Sequence, residues 1–263
     1  MPDDHSLVNR IALVTGAGSG IGEAIAQDLA AAGARVAVQD IKLDAAETVA
    51  ERIRGMGGDA IAVGGDVGNP QEIRAVIDRV IDHFGPIDIL VNNAGVQFVS
   101  SIDEYPLEQW NRLLSVLLTA PFLLTQAVLP AMRGNGWGRI INISSINGKR
   151  GDPGKAAYCS AKHGLIGLTR VAALETATDG ITVNAICPGV VDTPLLRNQL
   201  GDLARMHGVS DDEALDHVYL NAIPQRRLLD PSEIASMARF LASDEARGIT
   251  GQAINVSAGF ITH

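Results

Sequence analysis

Thr15-Gly16-Ala17-Gly18-Ser19-Gly20-Ile21-Gly22 decides the fold of this chain. The stretch follows a short apolar run, Ile11 to Val14, and opens a pattern in which Ile21, Ile25 and Leu29 share one helical face. A strand, a tight glycine loop and a helix N-terminus together make an anion site. The glycines let backbone N–H groups approach a pyrophosphate, and the helix dipole favours its charge. A glycine loop can also be no more than a tight turn between packed elements. Here Asp40 closes the next apolar strand, Arg35 to Gln39. That is about 20 residues on, where an acid can hold a pair of ribose hydroxyls.

The rest of the chain repeats this alternation. Strand-like runs fall at 11–15, 35–39, 60–63, 87–91, 138–144, 181–187 and 252–256. Helical stretches lie near 20–32, 43–56, 70–84, 106–133, 155–178 and 231–243. The pattern predicts an α/β fold: one doubly wound parallel sheet of Rossmann type with helices on both faces. Continuous apolar strands such as Ile87-Asp88-Ile89-Leu90-Val91 suit a sheet covered on both sides. The 263 residues contain no linker or low-complexity segment, so residues 1–263 read as a single domain. Residues 192–227 break the rhythm beside the carboxyl ends of the strands, where a substrate lid would sit.

Bulk properties exclude several classes of function. The net charge of −9 argues against nucleic acid or an anionic membrane as partner. No run of 18 apolar residues occurs, and Met1 to Arg10 lack the apolar core of a signal peptide. Cys159 and Cys187 offer neither a disulfide framework nor metal-ligand spacing, so no metal is expected and a reducing cytoplasm is the default.

Tyr158 and Lys162 lie four apart on the stretch 155–178 and so share a helical face. A neighbouring ammonium favours the phenolate, and a tyrosine tuned this way can act as general acid or base. Ser145 follows the strand 138–144 at the sheet edge where ligands bind, and Asn92-Asn93-Ala94-Gly95 follows the strand 87–91 on that edge. Cys159 reads as structural, because successive helix positions face apart. His163 is expected on the packed helix face, and Trp110 and Trp137 as packing anchors.

In order along the chain, Thr15 to Gly22, Asp66-Val67, Asn92 to Gly95, Ser145, Tyr158, Lys162 and Pro188-Gly189 resemble the successive motifs of the short-chain dehydrogenase/reductase family. The resemblance implies a nicotinamide cofactor, NAD given Asp40. It would be held by Gly16, Ser19, Gly20, Ile21, Gly22, Asp40, Asp66, Val67, Asn93, Ala94, Gly95, Tyr158, Lys162, Pro188, Gly189, Val191 and Thr193. It further implies Tyr158 as catalytic acid/base, Lys162 on the nicotinamide ribose and Ser145 on the substrate oxygen. Asp66 would bind the adenine, with Val67 flanking its ring, and Val191 and Thr193 would meet the carboxamide. In this family the long helices 106–133 and 155–178 pair with other subunits, so a homodimer or homotetramer is implied. One departure stands out. The family's usual asparagine, seven positions after a tryptophan like Trp110, is Leu117 here. Its role is to hold a helix irregularity whose carbonyl binds a water touching the lysine.

A narrower resemblance, to D-3-hydroxybutyrate dehydrogenases, runs through Gly95-Val96-Gln97, Gly136 to Asn142, Lys155 to Tyr158, Ala173 to Ala177 and Thr193-Pro194-Leu195. It implies a small-molecule hydroxy acid whose carboxylate meets Gln97, Lys155 and Gln199. Asn147 stands where that group carries a histidine, and Phe260 where it carries a tryptophan. Both are therefore substrate-pocket candidates beside Ser145 and Tyr158. Lys149 and Arg150 are candidates for a further cation. These departures leave a cyclic or sugar-derived secondary alcohol as the alternative substrate. Leu117 leaves open a catalytically weak NAD(H)-binding regulatory protein.

Overall fold

Seven strands form one sheet: β1 (Ile11–Thr15), β2 (Arg35–Asp40), β3 (Asp59–Gly64), β4 (Ile89–Asn92), β5 (Gly138–Ile143), β6 (Ile181–Pro188) and β7 (Ala253–Val256). The computed structural model describes residues 6–198, 200–210, 213 and 215–263. Every strand pairing is parallel, in the order β3-β2-β1-β4-β5-β6-β7. The central strands are apolar on both faces because helices cover both. The strand order reverses between β1 and β4, and the crevice outside the carboxyl ends of these strands is where such sheets bind ligands.

The helices are α1 (Gly20–Ala31), α2 (Leu43–Gly55), α3 (Pro70–Phe84), α4 (Leu107–Leu114), α5 (Ala120–Asn135), α6 (Ala156–Glu175), α7 (Pro194–Arg197), α8 (Leu200–His207) and α9 (Pro231–Ala242). Start signals are local. Asn69 accepts from the Gln71 N–H and is followed by Pro70, and Asp230 with Glu233 forms a capping box before α9.

Three expected elements differ by more than a residue, and the first is α6, which stops at Glu175 and not at 178. β4 begins at Ile89 and not at 87, because the Asp88 carboxylate accepts the Ile11 N–H at 3.0 Å. The helix expected at 106–133 is broken by a π-helical turn, Ser115–Thr119. Pro121 has no N–H for the Leu117 carbonyl four residues back, and its ring crowds that carbonyl. The Ala120 N–H reaches back five residues to the Ser115 carbonyl.

The stretch Leu107–Asn135 is long and apolar enough, by length and composition, to cross a membrane. Its buried face, with Leu113, Leu117, Leu124, Val128 and Met132, packs into the core beside the sheet, while Leu107 and Phe122 remain exposed. Residues 192–228 leave the sheet after β6. Their base is closed by a bridge between Val191 and Leu229, with Leu229 donating to the Val190 carbonyl at 2.9 Å.

Candidate active site

The glycine loop is shaped by contacts that admit no side chain. Gly16 adopts φ +61°, and a Cβ there would lie 2.7 Å from the Ala94 Cα. A Cβ on Gly22 would run into the Gly16 carbonyl and the Asn93 amide. That amide donates to the carbonyls of Thr15 and Gly16 at 2.9 and 3.0 Å. The Thr15 hydroxyl in turn accepts from the N–H groups of Asn93 and Ala94. Asn92 to Gly95 therefore locks the end of β1, and Asn93 acts as a loop clamp. Ser19 is the N-cap of α1, yet its side chain makes no capping bond. The first turn of α1 thus keeps donors open toward an anion.

Asp40 ends β2 beside this loop. Its carboxylate accepts from the N–H groups of Gly18 (3.0 Å) and Lys42 (2.9 Å), which aims it along the loop. Asp66 is gripped by two nitrogens of Arg112, at 2.8 and 3.1 Å, and accepts from the Gly68 N–H. Burial raises its carboxyl, but Arg112 and Gly68 outweigh this and leave it below the usual carboxylate range. Arg112, on α4, was not singled out from the sequence. Val67 is buried and lines a small void with Ala94 and Asn92.

One cleft at the carboxyl edge gathers Gly16, Ser19, Gly20, Ile21, Asn93, Gly95, Pro188, Gly189, Val191 and Thr193. The same cleft holds Ser145, Tyr158 and Lys162, with Gln97, Asn147, Lys155 and Phe260. Gly22, Asp40, Asp66, Val67 and Ala94 lie outside that lining, and Gln199 lies outside the described residues. The glycine cradle, the uncapped α1 start and the Asp40 carboxylate suit a dinucleotide.

Ser145 sits just past β5. Its Oγ accepts from the Asn147 N–H at 3.0 Å, and its own proton acts on the Tyr158 phenol. Lys162 is only 4% exposed, and its Nζ donates to the Ile143 carbonyl at 2.6 Å. Burial pulls this lysine down to about 8. Burial also pushes the half-buried Tyr158 phenol up, against the Ser145 hydrogen bond and the charge of Lys155, which lower it. Lys162 lies 5.6 Å from the Tyr158 ring centre, and the charge of Lys155 also favours the phenolate.

Lys155, 6% exposed, is anchored at 2.8 Å to Asp152 and donates to the Tyr219 hydroxyl at 3.4 Å. Burial lowers it, but Tyr219 and Asp152 more than compensate, so it stays charged. Asp152 also accepts from the Asn147 amide at 3.0 Å. Arg150 reaches the cleft, 3.9 Å from Asp152 and 4.6 Å above the Phe260 ring. Lys149 instead binds the carbonyls of Ala253 and His263. Asp152 and Tyr219 were missed. The i,i+3 spacing of Asp152 and Lys155 was a readable signal, whereas nothing local marks Tyr219.

Other expectations sort simply. Burial pushes the Cys159 thiol up, which keeps it protonated. His163 is exposed and not packed, its Nδ1 on the Cys159 carbonyl, because its helix position turns away from the sheet. Trp137 lies between Arg10 and Arg139 and donates to Asp244, and Trp110 stacks edge-on with Tyr105. Leu117 is 1% exposed within the π-helical turn, so the helix irregularity exists without the asparagine.

A family model described as enoyl-(acyl carrier protein) reductase matches residues 16–261. The chain is 48% identical over 251 residues to an uncharacterized oxidoreductase, YxjF, of Bacillus subtilis (strain 168), covering 95% of this chain and 98% of that one. It is 42% identical over 255 residues to the D-beta-hydroxybutyrate dehydrogenase of Rhizobium meliloti (strain 1021), covering 96% and 99%. Among solved structures, a variant of the actinorhodin polyketide ketoreductase with NADPH superposes with a TM-score of 0.93 at 39% identity, covering 97% of this chain and 98% of that one.

Proposed function

The chain belongs to the short-chain dehydrogenase/reductase family of oxidoreductases, and we propose that it uses NAD to interconvert a short 3-hydroxy acid, such as D-3-hydroxybutyrate, and its ketone. The observation that carries this reading is Lys155. A charged lysine lies almost fully buried in the same cleft as Ser145, Tyr158 and Lys162. Asp152 pairs with this ammonium and Tyr219 accepts a second of its protons, which leaves the third for a ligand in the cleft. Arg150 and Lys155 against Asp152 leave this wall one positive charge in excess, which suits one carboxylate. Gln97 adds to it: its Oε1 accepts from the Phe98 N–H at 3.1 Å, leaving the amide nitrogen as the available end.

When bound, the nicotinamide supplies the hydride acceptor. Asp40 would hold the adenosine ribose and Asp66 the adenine, while Lys162 would hold the nicotinamide ribose. In oxidation, Tyr158 as phenolate takes the proton of the substrate hydroxyl. Ser145 turns its proton from the phenol to the same oxygen and fixes it. Lys155 favours the phenolate through its charge. The Leu117 carbonyl, deprived of its α-helical donor by Pro121, is available to a relay water. That favours an enzyme over a catalytically weak binding protein.

Exposed Leu107, Phe122, Val171 and Leu174 on α4, α5 and α6 support a homodimer or homotetramer built on these helices. The free thiols of Cys159 and Cys187 suit a cytoplasmic setting. The test is NADH formation across D-3-hydroxybutyrate, its L isomer, longer 3-hydroxy acids and neutral cyclic alcohols. The D-hydroxy acid is expected to lead. Oxidation of neutral cyclic alcohols alone would replace this substrate with the alternative.

A further inference from the structure

Tyr219 reaches the cleft from outside the sheet. It lies in a π-helical turn, Asp216–Leu220, within the segment that leaves after β6, and it is 8% exposed. Its ring packs in the core cluster that contains Leu196, Ile223 and Leu229, and its carbonyl accepts from Ala222 and Ile223. With the base of the segment fixed by the Val191–Leu229 bridge, the phenol is held in place. Its hydroxyl accepts from Lys155 Nζ at 3.4 Å. Among the described residues, no acceptor takes the Tyr219 proton in return. Tyr219 lines the cleft, where a ligand oxygen can take that proton. Tyr219 and Tyr158 line the same cleft.

We propose that Tyr219 is a specificity-determining residue, whose hydroxyl binds the carboxylate of the substrate together with the Lys155 ammonium. The proposal rests on the reading of a carboxylate-bearing substrate. The chemistry is that of a carboxylate, which only accepts hydrogen bonds, meeting donors side by side. The long 3.4 Å bond between Lys155 and Tyr219 leaves both free to turn toward such an anion. The segment that carries Tyr219 thereby reads the charged end of the substrate, while Ser145 and Tyr158 read its hydroxyl.

The test is Tyr219→Phe, which removes one oxygen and keeps the packed ring. Two quantities are measured: the inhibition constant of butyrate, which has the carboxylate but no hydroxyl to oxidise, and kcat/KM for D-3-hydroxybutyrate relative to 2-butanol. NADH binding by fluorescence reports that the fold persists. Loss of one hydrogen bond to a charged group predicts a roughly tenfold or greater rise in the butyrate constant. It predicts a similar fall in the acid-to-alcohol ratio, with NADH binding retained. If butyrate inhibits the parent and the variant equally, Tyr219 has no such role and the carboxylate reading stands. If the parent neither binds butyrate nor prefers the acid, both fall. Should Tyr219→Phe lose NADH binding, Tyr219→Met, which keeps the apolar bulk, is measured in the same way. A butyrate constant unchanged in that variant overturns the proposal.

Discussion

Replacing Asp40 by Asn tests cofactor choice with the least structural disturbance. The carboxylate ends β2, half-buried, and is aimed by two backbone N–H groups at 2.9 and 3.0 Å. An asparagine keeps an oxygen for one of these, removes the charge and leaves the other N–H without its acceptor. A ribose hydroxyl pair hydrogen-bonded there would sit within about 3–4 Å of the carboxylate, and so would a 2′-phosphate. At about 4 Å, two unit charges repel by about 1 kcal/mol in water and about 4 kcal/mol at the effective dielectric of a protein surface. A half-buried acid facing a phosphate that carries more than one charge falls near 2–4 kcal/mol. This corresponds to a preference of roughly 30- to 1000-fold for NAD in kcat/KM. Lys42 is the adjacent cation, but its side chain is exposed and its attraction is screened. The assay is kcat/KM for NAD and NADP, in parent and Asp40→Asn, at fixed ionic strength. The variant is expected to lose most of the preference. Equal use of both cofactors by the parent, or an unchanged ratio in the variant, would refute the reasoning.

Pro121→Ala restores an N–H four residues after Leu117, so the π-helical turn should tighten. We expect kcat to fall roughly tenfold, a fraction of what proton transfer itself contributes, with KM little changed. Leu117→Asn in that background should recover part of the loss, and an unaltered kcat in Pro121→Ala would dismiss the turn as a relay element. Lys162 titrates at about 8 in the folded chain against 10.5 when free. The unfolded chain therefore binds more protons between these values, and stability should rise with pH across that window. Below it, the buried charge costs about 3 kcal/mol. Denaturant unfolding of Lys162→Met should show the variant gaining over the parent at neutral pH, with the gain shrinking toward the top of the window; a constant difference would contradict this. Because burial raises Tyr158, oxidation should speed up as pH rises into the alkaline range, and Lys155→Met should push that rise to higher pH even for a neutral alcohol. Coincident pH profiles would remove Lys155 from the phenol's control.

The sheet was legible because its strands are mostly apolar runs between helical stretches, and because the first loop carries glycines whose close contacts admit no side chain. The site was legible where one element carries the chemistry. Tyr158 and Lys162 share a helix face, and Ser145 follows a strand that could be placed. The direction of the tyrosine's shift was not, because it depends on burial and on which cation lies nearer, neither of which spacing reveals. Arg112 meets Asp66 across 46 residues, and Tyr219 meets Lys155 across 64. Nothing local announces such pairs. The break in the long helix could have been read from Pro121, but the apolar periodicity continues through it and conceals the turn.

The central claim is that Tyr158 moves the substrate proton in this cleft. Tyr158→Phe removes the transferable proton and almost no volume. The decisive measurement is a single-turnover reaction of enzyme, NAD and D-3-hydroxybutyrate followed by NADH fluorescence, in parent and variant. The account predicts a burst of NADH from the parent and a rate lower by roughly 100-fold or more in the variant, which still binds added NADH. A variant rate within a few-fold of the parent would contradict it.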